Sequence, residues 1–281
     1  MTSSLLLSIV TFVYGAAAFA YLAAWVFKRE APGKFGTGLA LAAVLGNLAG
    51  ILLRWRESYT LGIGHAPLTN LYESLMFFSL TIGLLYLYLE RRYKNRVIGA
   101  FAMPLAFLAM AYAGLSPGIS DRIQPLIPAL KSNWLIAHVI ACFIGYAAFG
   151  IAFGVSIMYF LRQRNGGKAS GRLQRLPSDK VLDELTHQLV MFGFLWLSAG
   201  IITGAVWANS AWGRYWGWDP KETWSFITWL IYAALLHFRL MRGWRGKRIA
   251  VLSVVGFLAV LFSYFGVNLL PGLHSYGAMG L

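Results

Sequence analysis

The sequence predicts an all-α integral membrane protein with about eight transmembrane helices. Of its 281 residues, 58% are hydrophobic and only 12% are charged. A soluble domain carries about 25% charged residues, so this chain has too few charges to cover a water-facing surface. The composition excludes a soluble enzyme, a disordered chain and a small disulfide-stapled secreted module. We interpret residues 1–281 as a single polytopic membrane domain.

Eight apolar stretches are each long enough to cross a bilayer. A hydrocarbon core about 30 Å thick needs roughly 20 apolar residues in a helix. Helices satisfy their own backbone hydrogen bonds in lipid, and these stretches lack the alternation of strands. The first stretch is too long for the apolar core of a signal peptide, so we interpret it as a transmembrane helix. The predicted spans are 4–27, 36–53, 68–89, 97–114, 134–161, 187–207, 220–238 and 249–270.

The basic residues predict the orientation of these spans. The chain carries 24 Lys and Arg against 10 Asp and Glu, which gives a net charge of +14. The loops that follow the odd-numbered spans hold 18 of the 24 basic residues, and Lys and Arg concentrate in cytoplasmic loops. Both termini are therefore predicted on the outer side. This distribution explains the charge by membrane topology and argues against nucleic acid as a partner.

Two further features limit the chemistry of the chain. The least hydrophobic stretch, 162–186, is rich in glycine and basic residues, which predicts a cytoplasmic linker with room for a short surface helix. Cys142 is the single cysteine, so a disulfide, a CxxC redox pair and a thiolate metal site within this chain are excluded. Because it lies in an apolar stretch, Cys142 is interpreted as a packing residue.

The tryptophan segment, residues 212–224, reads WGRYWGWDPKETW and contains four of the 11 tryptophans. Tryptophan and tyrosine are common at membrane interfaces, so an interfacial belt is one interpretation. A belt distributes aromatic residues over many helix ends, whereas here they concentrate in one segment. This favours a stacking platform for a flat, largely apolar ligand, centred on a predicted external loop at 208–221. The indoles of the platform belong to Trp212, Trp216, Trp218 and Trp224.

Charged residues in the same segment have separate predicted roles. Asp219, followed by Pro220 and then by Glu222, has the pattern of a capped helix start. We therefore expect Asp219 to shape the site rather than to touch a ligand. Arg214 and Lys221 are candidates to pair with anionic groups of a ligand, with the headgroups of membrane lipid as the alternative.

Ionisable residues at membrane depth are functional candidates. His138, near the outer end of the fifth span, and His274, just past the eighth, are both predicted at the depth of the tryptophan segment. Two neutral imidazoles beside an aromatic platform suit ligation of a haem iron; two unrelated interfacial histidines are the alternative.

His237 lies 17 residues beyond Pro220, roughly 26 Å deeper at 1.5 Å per residue. It is a candidate for a second haem ligand, a proton relay or a neighbour of Arg239.

The remaining ionisable residues favour structural roles. His65 and His187 are interpreted as solvated or helix-capping residues. Glu73 opens the third span near the outer surface, where we expect a carboxylate to pair with Arg54 or Arg56.

The tryptophan segment, and above all its continuation DPKETW, resembles the CcsA (ResC) family of System II cytochrome c biogenesis. The resemblance extends to HAPLTNLYE at 65–73, to the helix of His138, to His237 and to Leu273–His274. It implies that His138 and His274 bind haem b non-covalently on the outer side. It also implies an inner haem site that His237 shares with a histidine of a CcsB (ResB) membrane subunit.

The resemblance implies a haem-handling subunit of a membrane cytochrome c synthase, or haem lyase, in a bacterial plasma membrane or a thylakoid membrane. Such a subunit presents haem for covalent attachment to the CxxCH of apocytochrome c. The sequence predicts no catalytic acid or base, so positioning and redox state would carry that function.

Three alternatives remain at this stage. One is a haem handler of the CcmC type, which delivers haem to a chaperone; eight spans and the PKETW continuation favour the CcsA family instead. Another is a di-haem transmembrane cytochrome b that uses His138 with His274 and His187 with His237, although an electron carrier needs no external platform. The third is a transporter, for which no inverted repeat is visible.

Overall fold

The chain folds as a set of long helices. The structure, a computed structural model, describes residues 2–164 and 171–270, and over these residues its regular elements are helices without strands. Eight helices of the described part are long and apolar enough to cross a membrane, which confirms the predicted class and number of spans. They are α1 (Ser3–Val26), α2 (Glu30–Thr60), α3 (Leu71–Tyr93), α4 (Gly99–Leu115), α5 (Asn133–Gln163), α6 (Asp179–Trp212), α7 (Pro220–Arg242) and α8 (Lys247–Tyr264).

Several helices extend beyond the apolar stretches that predict them. Helix α2 begins at Glu30 and ends at Thr60 instead of spanning 36–53, and α6 begins at Asp179 instead of 187. An apolar stretch marks only the part of a helix that crosses hydrocarbon, whereas helical hydrogen bonding continues into polar residues beyond it. The segment 162–186 accordingly contains the end of α5, a 3₁₀ helix at Gly171–Arg175 and about two turns of α6.

The described residues form two compact units, and α5 contributes to both. The first unit comprises the residues up to 131 together with 161–178, and it contains α1 to α4. The second comprises 132–160 and the residues from 179 onward, and it contains most of α5 with α6, α7 and α8. The second unit therefore carries His138, His237 and the tryptophan segment.

A buried ion pair joins α2 to the start of α3 in the first unit. Arg54 Nε donates to Glu73 Oε1 at 2.8 Å, and the two side chains are only 2% and 1% exposed. The other carboxylate oxygen of Glu73 accepts from the backbone N–H and the hydroxyl of Thr69, each at 3.0 Å. Arg54 Nη1 donates to the Asp121 carbonyl at 2.7 Å. This pairing is one of the two predicted for Glu73, and it gives Glu73 a structural role.

His65 lies in the loop between α2 and α3 and is fixed by backbone groups. Its Nδ1 lies 2.9 Å from the Ala66 carbonyl oxygen, and its Nε2 lies 3.1 Å from the Gln124 carbonyl oxygen. The backbone N–H of His65 donates to Ser58 Oγ at 3.0 Å. His65 is therefore a buried, hydrogen-bonded residue rather than a solvated one.

The Glu90 carboxylate near the end of α3 is the centre of a second polar network in the first unit. Its Oε2 accepts from the hydroxyls of Tyr21 at 2.7 Å and Tyr86 at 2.6 Å. Its Oε1 accepts from the Thr37 hydroxyl at 2.6 Å and from Arg96 Nε at 3.1 Å. Because every donor aims at one buried carboxylate, the network ties α1, α2 and α3 to the turn before α4.

Candidate functional site

The imidazole of His138 packs against α6 and bonds to its backbone. His138 lies in the second turn of α5 and is half-buried, and its Nδ1 lies 2.7 Å from the Gly200 carbonyl oxygen. A carbonyl oxygen only accepts hydrogen bonds, so Nδ1 carries the proton in this contact. In the neutral ring the lone pair then resides on Nε2, which is the form of histidine that binds a metal ion.

The sequence of α6 makes room for this imidazole. A Cβ atom at Gly204 would lie 2.6 Å from His138 Nδ1, and one at Gly200 would lie 2.6 Å from the Cys142 sulfur. Small residues at the spacing of helical turns allow close backbone approach between membrane helices. Cys142 is buried in this contact, as its predicted packing role requires. The α6 groove, which we define as Gly200, Thr203 and Gly204, therefore orients His138.

An aromatic series links His138 to the tryptophan segment. The ring of His138 stacks on Trp207 at 6.1 Å between centroids and 17° between planes. Trp207 in turn meets Trp212, the last residue of α6, at 4.9 Å and 61°. Trp207, which lies inside the sixth predicted span and is 3% exposed, is not among the predicted site residues. A spacing of five residues before Trp212 does not place the two side chains on one helical face, so the sequence carries no signal for this contact.

The backbone of the tryptophan segment is fixed at its second half by a capping box. Asp219 accepts from the Glu222 backbone N–H at 2.9 Å, and Glu222 Oε2 accepts from the Asp219 N–H at 3.2 Å. The same carboxylate oxygen accepts from the Gly217 N–H at 2.7 Å. The predicted helix-capping role of Asp219 is thus confirmed. Trp218 adopts a left-handed conformation with φ of +57°, which turns the chain into the cap.

An exposed aromatic cluster, Trp216, Trp218 and Phe226, lies at the start of α7. The Trp216 and Trp218 rings meet edge to face at 5.6 Å, and Phe226 lies 6.5 Å and 6.4 Å from them. Trp218 is 66% exposed and Tyr215 is 60% exposed. The buried Nε1 of Trp216 has no hydrogen-bond partner within the described ranges. The cluster therefore offers the open indole surface of Trp218, whereas the unsatisfied donor of Trp216 is buried.

Trp224 belongs to a different contact. It lies in the second turn of α7 and packs on Phe262 of α8 at 4.2 Å between ring centroids. Its packing joins α7 to α8, whereas Trp216 and Trp218 lie in the preceding loop. Over the residues that the structure describes, the ring contacts of the four tryptophans thus fall into three groups.

Two cations flank the segment. The Arg214 guanidinium lies against Gly217, where a Cβ atom would be 2.7 Å from Arg214 Nε, so a side chain at position 217 would displace it. Lys221 is half-buried, and its Nζ donates to Asn268 Oδ1 at 3.4 Å. Both cations lie within or next to the predicted loop 208–221.

Two further histidines, His187 near the start of α6 and His237 near the end of α7, lie apart from His138 among the described residues. His237 is exposed on α7. His187 of α6 is buried, and its Nδ1 has no hydrogen-bond partner in the described part of the chain. Nearby, Arg239 donates to Asp183 at 2.7 Å and to Glu184 at 3.1 Å.

The structure leaves part of the predicted site undescribed. His274, the predicted second ligand beside His138, lies outside the described residues. Within residues 2–164 and 171–270, His, Cys, Asp and Glu side chains form no group of three or more that could hold a metal ion. His138 is accordingly an imidazole beside aromatic rings and not a member of a multidentate metal site formed by those residues.

The fold and the site define a polytopic helical membrane protein with an oriented imidazole next to a tryptophan-rich segment. The family model "Cytochrome C assembly protein" matches residues 68–274. The chain is 41% identical to the cytochrome c biogenesis protein CcsA of Parasynechococcus marenigrum, over 91% of this chain and 90% of that protein. It is 42% identical to CcsA of Chlamydomonas reinhardtii, over 81% of this chain and 64% of that protein.

The chain belongs to the CcsA family of cytochrome c biogenesis proteins. The eight apolar helices and these relatives make it an integral protein of a plasma or thylakoid membrane. A solved structure, the cytochrome c haem lyase CcmF, has a TM-score of 0.74 with 19% identity. The match covers 94% of this chain but only 47% of CcmF, and at this identity it shows a common fold.

Proposed function

We propose that this chain binds haem b non-covalently through His138 and the tryptophan segment and presents it to apocytochrome c. In this proposal both termini, the tryptophan segment and His138 lie on the outer side of the membrane. The concentration of 18 of the 24 basic residues in the loops after the odd-numbered spans supports that orientation. The family supports the pathway, because its members are named for cytochrome c biogenesis.

The observation that carries the proposal is the hydrogen bond between His138 Nδ1 and the Gly200 carbonyl. Histidines that bind metals commonly donate their other ring N–H to a carbonyl or a carboxylate, which fixes both tautomer and ring orientation. The same bond satisfies the N–H of a half-buried ring and leaves Nε2 as the nitrogen that can bind a metal ion. His138 thus has the protonation state that axial binding of a haem iron requires.

The surroundings of His138 also fit a porphyrin. Trp207 and Trp212 continue the aromatic surface from the imidazole towards the loop, and the exposed aromatic cluster offers flat apolar area. The Arg214 guanidinium is a donor for the carboxylates at the edge of the haem. His274 completes the proposed iron ligands. When bound, haem supplies the iron that imidazole binds and the vinyl groups that react with cysteine thiols.

The exposure of His237 supports a partner subunit. A polar imidazole on a lipid-facing helix surface is costly, and Leu230 and Met241, also exposed on α7, mark the same surface as apolar. Cover by another protein chain would remove His237 from lipid. We propose that a CcsB-type subunit covers this surface and that His237 contributes to an inner haem site there.

The experiment that tests the function is the haem spectrum of the full-length protein, purified from haem-replete membranes with its CcsB-type partner. We expect His138→Ala to abolish the low-spin spectrum of the outer haem, and added imidazole to restore it, because a soluble imidazole can occupy the vacated position. His187→Ala is the control and should retain the wild-type haem content. A low-spin spectrum that survives His138→Ala would contradict the proposed site. Haem loss in His187→Ala would instead favour a di-haem electron carrier.

A further inference from the structure

Besides its packing surface for His138, the α6 groove contains a carbonyl oxygen that accepts two side-chain hydrogen bonds. The Gly200 carbonyl oxygen accepts from His138 Nδ1 at 2.7 Å and from the Thr203 hydroxyl at 3.1 Å. Thr203 also donates to the Ala199 carbonyl at 2.8 Å, so its single proton is shared between two acceptors. One carbonyl oxygen therefore has two side-chain donors, and the strength of each bond depends on the other.

We infer that Gly200, Thr203 and Gly204 are positioning residues that set the orientation and the electron-donating strength of His138. This inference rests on the proposed function, since it concerns how His138 binds haem iron. Gly204 provides the space for the ring, the Gly200 carbonyl fixes the Nδ1 proton, and the Thr203 hydroxyl weakens that carbonyl as an acceptor.

The chemistry follows from hydrogen bonding at the remote ring nitrogen. A stronger acceptor at Nδ1–H increases the electron density on Nε2 and makes imidazole a stronger ligand. A stronger ligand stabilises the ferric ion more than the ferrous ion and so lowers the reduction potential of a haem. In the proposed function, positioning and redox state carry the attachment of haem to CxxCH, so this potential bears on that step.

Thr203→Val tests the electronic part of the inference. Valine has the shape of threonine but has no hydroxyl, so the Gly200 carbonyl can bond His138 Nδ1 more strongly. We expect the midpoint potential of the outer haem to become more negative, with the low-spin spectrum retained. Thr203→Ser keeps the hydroxyl and should restore a potential close to that of the wild type.

Gly204→Ala tests the geometric part. The new Cβ atom would lie 2.6 Å from His138 Nδ1 and 2.8 Å from its Cε1. Atoms this close must separate, and Nδ1 is the ring atom nearest the new Cβ, so the ring shifts away from the Gly200 carbonyl. We expect a smaller low-spin fraction and a potential that shifts in the positive direction, because Nδ1–H loses its acceptor.

Gly193→Ala is the matched control. Gly193 lies eleven residues before Gly204 on the same face of α6, about three turns away. A Cβ atom there would meet the Phe149 ring at 2.6 Å and the Gly145 carbonyl oxygen at 3.1 Å. This variant perturbs the same contact between α5 and α6 without touching His138. It should lower thermal stability while the haem potential and spin state stay at their wild-type values.

The outcomes separate the two proposals. If His138→Ala removes the low-spin signal but Thr203→Val and Gly204→Ala match Gly193→Ala in potential and spin state, the role of the α6 groove is overturned and the haem site stands. If His138→Ala leaves the signal unchanged, the proposed function itself is contradicted. The shifts expected above, together with a silent Gly193→Ala, support both.

Discussion

At the residue scale, Glu73, Glu90 and His138 are each held in place by their hydrogen-bond partners. Glu73 shares its two carboxylate oxygens between Arg54 and Thr69, and Glu90 accepts from four donors. In an apolar environment an unpaired charge costs several kcal/mol. The same reasoning applies to His138, whose Nδ1 proton is fixed by the Gly200 carbonyl. Each of these groups is therefore held in one orientation.

The Arg54–Glu73 pair gives a prediction at this scale. Glu73→Ala would leave the Arg54 guanidinium buried without its counter-ion, and breaking one partner of a buried pair costs about 3–5 kcal/mol. We expect a clear drop in the thermal unfolding temperature, measured by intrinsic fluorescence in detergent. The double variant Arg54→Met/Glu73→Leu removes both charges and should be markedly more stable than Glu73→Ala. Equal stabilities of the single and double variants would show that the unpaired charge is not the cause.

At the scale of elements, α5 and α6 form the candidate site because glycines bring their backbones together. Gly145 and Gly193 mark one point of close approach between the two helices. Gly200 and Gly204 mark a second point, where the His138 ring packs against α6. The tryptophan segment then begins where α6 ends. Helix α7 starts with the capping box of Asp219 and Glu222, so the loop is fixed from Gly217 to Glu222.

The capping box gives a prediction at this scale. Asparagine caps helices about as well as aspartate, whereas replacement of the cap by alanine costs about 1 kcal/mol. We expect Asp219→Ala to lower both thermal stability and haem occupancy, because the loop of Trp216 and Trp218 loses its fixed end. Asp219→Asn should retain most of both. The readouts are unfolding temperature and haem per protein by the pyridine haemochrome assay; a deficit of equal size in the two variants would point to the charge of Asp219 itself.

At the scale of the whole molecule, topology decides whether the site can meet an apocytochrome. The predicted orientation places the loop after α4 outside and the segment after α5 inside. For the protein in a bacterial plasma membrane, we expect Gly118→Cys to react with a membrane-impermeant maleimide in intact cells and Arg164→Cys to react only after lysis. Both positions are exposed, and the native Cys142 is buried, so background labelling should be low. The reverse pattern of labelling would invert the proposed orientation.

Much of this architecture can be predicted from sequence, because a bilayer restricts the kinds of backbone structure that can span it. Apolar length predicts eight helices, and the Asp219–Glu222 spacing predicts the cap of α7; over residues 2–164 and 171–270 the structure confirms both. The ends of helices are harder to predict from sequence, since polar residues at the ends of α2 and α6 remain helical. Trp207 and the α6 groove could not be identified, because an apolar tryptophan and isolated glycines inside a span look like ordinary packing residues.

The sequence by itself determined the class of this protein, the number of its spans and the family to which it belongs. Those properties depend on local composition, on the thickness of a bilayer and on a contiguous motif. The tertiary structure alone decided that the Gly200 carbonyl faces His138, that Trp207 joins the ring to the tryptophan segment, and that Trp224 packs elsewhere. The two contacts of His138 join residues more than 60 positions apart and are set by how α5 meets α6. The packing of Trp224 on Phe262 is set by how α7 meets α8, and no local pattern encodes any of them.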